Sequence, residues 1–514
     1  MKTISPINLN EQSSLGIAEA NVSSVQLPSR AFSAERYSLM IAIGGAVFYL
    51  ATSIYIAFHR LYWFDELFIV RIAQLPSATA MWQALAHASD TMPPGYHLLM
   101  RVVGRVFGYS EVGMRLPSAF AMVVGLLLTF DCTRRLTDGL HGLAAFSALT
   151  CSLLPYYGYE ARPYALYFML SALALWLWVC TPDDSKWAAV CFGVVLCVSV
   201  SMHYYAALGI IPYLLWELVG WKPGRSVPLK LVAGVIGVGL SGAILAPLAM
   251  AFSRQFTHDF WAFPSLFKLR EGFFELFPDS LFLLALIMIW ITFRGFRQDA
   301  RIIKSQNPAE ALGWLFFCIP LVGFVVAELK TNAFLIRYFI GVLPGIAVAF
   351  SCLLWRNFRS SRHVSVGVVA LLMAWGVANQ WTTVRHPEEI DPFGQQTATR
   401  RYLQLESSVL SNGKQFILFD NPMLHLEAKH YSQHPEQCIL LLRKGSTEDL
   451  ATARVQVNLS QYSPLRFWNF EDLRRHARQT ALVDPAPETL QAIRQAGLQV
   501  DVRDSKPVEI VYLQ

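Results

Sequence analysis

Residues 37–58 read YSLMIAIGGAVFYLATSIYIAF, 22 positions without a charged side chain, and residues 59–68 continue HRLYWFDELF. A helix that crosses the hydrocarbon core of a bilayer needs ~20 mostly apolar residues. The first stretch meets that length, so it is a membrane helix. The second sets Asp65 and Glu66 directly after it, two carboxyl groups at a membrane surface. Outward from here the same pattern recurs: long apolar runs separated by short polar breaks.

Composition agrees with this reading. Hydrophobic residues make up 54% of the 514 and charged residues only 15%, where a soluble domain carries about 25% charged residues. Apolar runs occur at 113–130, 140–156, 163–180, 187–202, 204–219, 229–252, 280–293, 311–327, 336–355 and 364–381. With the first, they predict about eleven spans. The stretch Pro94–Phe107 is apolar but short, and it carries His97, Arg101 and Arg105; it reads as an interfacial or re-entrant helix.

With the N-terminus in the cytoplasm, the predicted inner loops hold Arg134 and Arg135; Lys186; Lys222, Arg225 and Lys230; Arg294, Arg297, Arg301 and Lys304; and Arg356, Arg359 and Arg362. Short outer breaks hold only Arg162 and Lys330, which satisfies the positive-inside rule. Residues 1–36 are polar and Ser-rich, without the apolar stretch and cleavage site of a signal peptide, and read as a disordered cytoplasmic tail. Residues 37–384 form the transmembrane domain, with long outer loops at 59–112 and 253–279. From residue 385 the composition becomes that of a soluble domain. KQFILFD, QCILLLRK and VEIVYLQ read as strands and PETLQAIRQAGL as a helix, so residues 385–514 are expected to form a small extracytoplasmic α/β domain.

The net charge of +6 is spread over short loops, which excludes the basic face of a nucleic-acid binder. The eight cysteines lack zinc or CxxC spacing. P-loop, GxGxxG, GxSxG and HExxH motifs are absent. An enzyme acting at the outer face without a nucleotide site needs a donor that the membrane delivers, such as a lipid-linked sugar.

Ionisable groups near membrane depth are costly and mark candidate sites. Asp65 and Glu66 suit general-base chemistry or a divalent cation; equally, they suit an interfacial helix with two acids facing water. In YYGYEARPYALYF (156–168), Glu160 and Arg162 sit among Tyr156, Tyr157, Tyr159 and Tyr164. Arg162 offers a guanidinium fork to a phosphate, or the two charges satisfy each other. Near Lys330, Arg337 and Tyr338, Arg337 lies inside the end of a span and either binds a ligand or snorkels to the headgroups. His203, before Tyr204 and Tyr205, is a further candidate.

In order, FDE after the first span, MPPGYHLLMRVVGRVFGYSEVGMRLPSAF (92–120), YEARPYAL (159–166), MHYYA (202–206) and RYFIGVLP (337–344) resemble the C-type (GT-C) multi-spanning glycosyltransferases of the dolichyl-phosphate-mannose–protein mannosyltransferase group. The similarity is to their bacterial branch, which includes aminoarabinose transferases of lipid A and galacturonosyl transferases of lipopolysaccharide cores. It covers roughly residues 37–355. The resemblance implies a GT-C fold and a bacterial inner-membrane protein with its C-terminal domain in the periplasm or outside. It also implies an inverting transfer from a polyprenyl-phosphate-linked sugar to a lipid A or lipopolysaccharide, other glycan, lipid or protein acceptor.

By that resemblance Asp65, with Glu66 beside it, is the general base. Arg162 and Arg337 stabilise the leaving phosphate, with His97 and Lys330 nearby, and Tyr164 and Tyr338 orient sugar or phosphate. No cofactor is implied, and metal dependence is not expected. Several relatives carry a basic residue or His where this chain has Met92; either His87 or His97 supplies the missing charge, or the charge is not needed. The domain at 385–514 is implied to sit over the cavity, where Asp420, Asn421 and His425 follow a strand. A transporter or flippase of a lipid-linked sugar is the alternative, but the chain lacks the repeated halves common in transporters.

Overall fold

Backbone amides in hydrocarbon find no water, so apolar runs satisfy themselves by closing into helices. A computed structural model of the chain describes residues 29–220, 226–256, 262–277, 285–286, 288–289, 308–390, 395–442, 447–504 and 508–513. The elements of the membrane part are α1 (Ser29–His59), α2 (Phe64–Ala73), α3 (Ala78–Ala86), α4 (Pro94–Phe107), α5 (Glu111–Leu136), α6 (Gly139–Thr150) and α7 (Leu154–Tyr157). They continue with α8 (Tyr164–Cys180), α9 (Lys186–Met202), a 3₁₀ turn Tyr204–Ile210 leading into α10 (Ile211–Val219), α11 (Leu229–Phe256) and α12 (Leu266–Leu276). Then come α13 (Pro308–Leu315), α14 (Cys318–Val326), a 3₁₀ turn Ile336–Val342 leading into α15 (Leu343–Phe358), and α16 (Arg362–Arg385).

Among the described residues, six helical stretches are long and apolar enough to cross a membrane: 34–59, 111–136, 229–255, 308–331, 336–358 and 362–385. Shorter apolar helices occupy 164–180, 186–202 and 204–219. The predicted span 280–293 and the basic residues at 222, 225, 294, 297, 301 and 304 fall outside the described residues or largely so. Four predicted spans are irregular rather than continuous: 204–219 opens with the 3₁₀ turn Tyr204–Ile210, 311–327 is interrupted between Leu315 and Cys318, and two more bear on the site. The run 140–156 ends as α-helix at Thr150 and resumes as the four-residue α7. The run 336–355 begins as a 3₁₀ turn. Both irregular ends face the candidate site described below. Residues 29–36, expected in the tail, already belong to α1.

Close helix packing has a local cause. A Cβ on Gly237 of α11 would lie 2.1 Å from the carbonyl oxygen of Gly193 in α9. Only glycines let the two backbones approach so closely, the small-residue packing that binds helices in lipid. The core is lined by α5, α8 and α15, whose residues 343–354 are all buried.

The C-terminal part contains α17 (Gln395–Ser411), β1 (Phe416–Phe419), α18 (Pro422–Tyr431), β2 (Cys438–Leu441), α19 (Thr447–Ser460), β3 (Phe467–Trp468), α20 (Phe470–Arg475), β4 (Thr480–Val483), α21 (Pro487–Gln495), β5 (Val500–Asp504) and β6 (Ile510–Leu513). The predicted strands and the predicted helix are β1, β2, β6 and α21, and Gly497 just past α21 adopts φ 79°. The sheet order is β3-β2-β1-β4-β6-β5, parallel from β3 to β4 and antiparallel at β6 and β5. Side chains alternate across the pleat. Ile417 and Phe419 pack with Tyr402 and Leu424 on one face, and Leu418 packs with Leu473 and Ile493 on the other. Leu426 and Leu459 instead join the core of the membrane part. The sheet unit is therefore docked on the bundle, against α2.

Candidate active site

The turn between α1 and α2 is pinned by one buried ion pair. Glu66 is fully buried and accepts Arg115 Nε on Oε1 (2.8 Å) and Arg115 Nη2 on Oε2 (2.6 Å). The same carboxylate accepts the amides of Ala161 (2.6 Å) and Trp63 (3.1 Å). Burial opposes its ionisation, yet Arg115 outweighs that and holds the carboxyl below its usual range. Arg115 spends its remaining donors on the carbonyls of Ala57, Arg60 and Leu61 at 3.2, 2.7 and 2.8 Å. All four groups on Glu66 are donors at short range, so it has no face left toward a ligand.

Asp65, one residue earlier, lies on a different side of the helix and has a different environment. It is 20% exposed, with Oδ2 at 3.6 Å from Arg162 Nη2 and 3.6 Å from Arg337 Nη2. Arg162 Nη1 also donates to the Asp65 carbonyl (3.1 Å) and lies 3.9 Å from Asp90 Oδ2. His97 Nε2 lies 3.2 Å from that same Asp90 oxygen. Burial works against the Asp90 charge, but His97 and Arg162 overcome it and keep the carboxyl below its usual range. Tyr164 places its ring 6.0 Å from both guanidinium carbons, and among the described residues its buried hydroxyl has no hydrogen-bond partner.

Beside this cluster lies a pocket of ≈ 620 Å³ lined by Thr91, Met92, His203, Tyr204, Tyr205 and Tyr338, among others. His203 stacks on Tyr167 (5.6 Å between centroids) and contacts Tyr338 (5.2 Å), while Tyr338 stacks on Tyr205 (5.5 Å). Both ring nitrogens of His203 are buried and, among the described residues, have no hydrogen-bond partner. Burial, with Arg162 and Arg337 adding to it, pushes that imidazole down to about 3, so His203 is neutral at physiological pH. A second cavity of ≈ 370 Å³, lined by Ala148, Phe277, Trp314, Phe317 and neighbours, is apolar and lies away from these charges.

The fold thus brings together Asp65, Arg162, Arg337, Tyr164, Tyr338, His97 and His203 from five chain segments. It separates three other candidates. Glu66 is tied to Arg115. Glu160 pairs with Arg60 at 3.5 Å, not with Arg162, and burial pushes its carboxyl up to about 7 against the pull of Arg60. Lys330 has an exposed side chain, and the contact it makes in this region is through its carbonyl, which accepts Ser253 Oγ at 3.4 Å. His87 is also elsewhere, 2.7 Å from the Tyr462 hydroxyl. In the sheet unit, Asp420 accepts the Ala486 amide, Asn421 caps α18, and His425 Nδ1 bonds Gln456, all internal contacts.

Asp90 escaped the sequence reading, although an acid three residues before Pro-Pro between apolar helices is a detectable signal. Arg60 and Arg115 escaped it because their partners are 100 and 49 residues away. Among the described residues, no three His, Cys, Asp or Glu side chains converge as a metal site.

The family model described as dolichyl-phosphate-mannose-protein mannosyltransferase matches residues 91–251. That segment spans α4 through most of α11 and contains Asp90's neighbours, His97, Arg162, Tyr164 and His203. No curated protein sequence matches the chain. Among solved structures, ArnT from Cupriavidus metallidurans in the apo state is similar at 13% identity and TM-score 0.57, over 92% of this chain and 98% of that one. The same protein bound to undecaprenyl phosphate is similar at 11% identity and TM-score 0.56, over 92% and 97%. The Archaeoglobus fulgidus oligosaccharyltransferase with Zn and sulfate is a looser likeness, at 11% identity and TM-score 0.42 over 74% and 61%. The chain has the fold of ArnT, and its residues 91–251 match the model of the dolichyl-phosphate-mannose-protein mannosyltransferase family.

Proposed function

We propose that the chain is an inverting glycosyltransferase that moves a sugar from a polyprenyl-phosphate donor to an acceptor hydroxyl on the extracytoplasmic side, with Asp65 as general base. The observation that carries this reading is the carboxylate of Asp65 held 3.6 Å from two guanidinium groups at once. Locked charge-assisted bonds are shorter, about 2.7–2.9 Å, as Glu66 and Arg115 display. The longer contacts leave both arginines able to exchange the carboxylate for a phosphate. A donor phosphate placed on Arg162 and Arg337 brings its anomeric carbon beside Asp65. The ArnT fold, solved with undecaprenyl phosphate, supports this donor class.

In the proposed step the acceptor oxygen attacks the anomeric carbon as Asp65 takes its proton. The bond from that carbon to the phosphate oxygen breaks with inversion, and polyprenyl phosphate leaves with the bonding pair. Arg162 and Arg337 stabilise the growing phosphate charge, the role of preorganised cations in such transfers. The step is complete without a metal. The aromatic pocket at His203, Tyr205 and Tyr338 takes the sugar ring, with neutral His203 and the buried Tyr164 hydroxyl as hydrogen-bond partners. The basic loops at 134–135 and 356–362 support a cytoplasmic N-terminus and, with it, an outer position for the sheet unit.

The test compares envelope glycans by mass spectrometry in cells with the protein, without it, and with Asp65→Asn. One glycan losing a single sugar in both the deletion and the variant is the expected result. Full transfer by Asp65→Asn sinks the base assignment. A polyprenyl-phosphate-sugar that changes leaflet with no missing product sinks the transferase reading altogether.

A further inference from the structure

We infer that Glu427 and Tyr431 of the C-terminal sheet unit are positioning residues for Asp65. This rests on the reading of Asp65 as base and extends it to a part of the chain more than 360 residues away.

A helix start leaves its first amides without partners, and a Ser, Thr, Asp or Asn at the N-cap normally accepts one of them. The N-cap of α2 is Trp63, whose side chain has no acceptor, and it makes no such bond. The acceptors come from elsewhere. The amides of Tyr62, Trp63 and Phe64 each end on a side chain: the Tyr431 hydroxyl (2.6 Å), Glu66 Oε2 (3.1 Å) and Glu427 Oε1 (3.0 Å). Two of those three acceptors lie on α18. Asp65 is the next residue, in the first turn that these bonds hold.

Both groups are themselves fixed. Glu427 is fully buried, and its Oε2 accepts Thr399 Oγ1 of α17 (3.0 Å). The Tyr431 hydroxyl accepts from Tyr62 and donates to Glu111 in the first turn of α5 (2.7 Å), so it ties the lead-in of α2 to α5. A buried carboxylate at a helix start is further favoured by the positive end of the helix dipole. The carbonyl side of the same turn is held by Arg115, as described above. Arg115 grips the turn from the membrane bundle and α18 grips it from the sheet unit. The active carboxylate is oriented only when the two parts are docked, which makes the sheet unit a component of the site rather than a cover over it.

The experiment uses the full-length protein and three variants: Glu427→Ala, Glu427→Gln and Tyr431→Phe, with Asp65→Asn in parallel. Three quantities are read: sugar transfer to the envelope glycan by mass spectrometry, binding of undecaprenyl phosphate to the purified protein, and amide hydrogen exchange of residues 61–68. Misplacing a catalytic group by about 1 Å costs on the order of 100-fold in rate. Glu427→Ala is expected to lose transfer by about that factor, with faster exchange at 61–68 and unchanged undecaprenyl phosphate affinity. Glu427→Gln keeps an oxygen for the Phe64 amide and is expected to recover most of the transfer. Should Glu427→Ala not reach the membrane, Tyr431→Phe, which preserves packing, is expected to show faster exchange and roughly tenfold less transfer.

Transfer and exchange at the parent level in variants present in the membrane overturn the inference, as does loss of every variant from the membrane. Lost transfer that Glu427→Gln does not recover, or that comes with lost undecaprenyl phosphate binding, also overturns it. Activity in Asp65→Asn would instead refute the base assignment and leave the exchange result standing by itself.

Discussion

Replacing Glu66 by Gln separates a structural carboxylate from the chemical one beside it. Glu66 and Arg115 are 0% and 1% exposed and bond at 2.8 and 2.6 Å. All four contacts on the carboxylate are donors: Arg115 Nε and Nη2 and the amides of Ala161 and Trp63. An amide has only one oxygen. Its NH₂ must therefore point at two donors whichever way it is turned, and Arg115 loses its counter-charge. Breaking a buried pair by removing one partner costs about 3–5 kcal/mol, roughly a 10²- to 5 × 10³-fold fall in the folded-to-unfolded ratio. The expected outcome is a large drop in monodisperse protein after detergent extraction and a lower midpoint in thermal unfolding. Asp65→Asn, which touches no locked pair, should extract and melt like the parent. A Glu66→Gln protein as stable as the parent but inactive would refute this reasoning and return Glu66 to the chemistry.

Two further outcomes follow from the same geometry. Lys330→Gln removes an exposed side chain that stands apart from the arginine cluster; transfer should stay within about twofold, since surface changes cost about 0.5 kcal/mol or less. A tenfold loss would place Lys330 at the phosphate. His203 has its folded value pushed down to about 3 by burial and by Arg162 and Arg337, below the roughly 6.5 of an unfolded histidine. The unfolded chain therefore takes up a proton that the folded one refuses, and stability declines as pH falls from about 6.5 toward 3. His203→Gln should flatten that decline between pH 6.5 and 5 in thermal scans, and an unchanged slope would refute the neutral assignment.

Much was legible in local sequence because the causes are local. A run such as 37–58 is a helix wherever hydrocarbon surrounds it, since no other backbone arrangement satisfies its amides. The unbroken apolar run FILF in KQFILFD, suited to a strand covered on both faces, and the Gly after PETLQAIRQA likewise carry their own reasons. The order FDE, MPPGY, YEARPY, MHYYA and RYFIG pointed to the GT-C fold because those segments sit at helix ends, where turn chemistry and charge are written in consecutive residues.

Partnership was not legible. Asp65 and Glu66 are chemically alike neighbours, and Glu160 and Arg162 are two residues apart, so sequence suggested two pairs. The tertiary structure divides both. Successive positions on a helix point about 100° apart, which sends Glu66 to Arg115 and Asp65 to Arg162 and Arg337; the break before α8 turns Glu160 to Arg60. The sequence by itself determined that the chain is a bundle of membrane helices with a small α/β unit, and which charged residues lie near helix ends. Only the tertiary structure decided which charges meet, and that Glu427 and Tyr431 close the turn that carries Asp65. Burial and charge pairing depend on distances between segments tens to hundreds of residues apart, which no local pattern encodes.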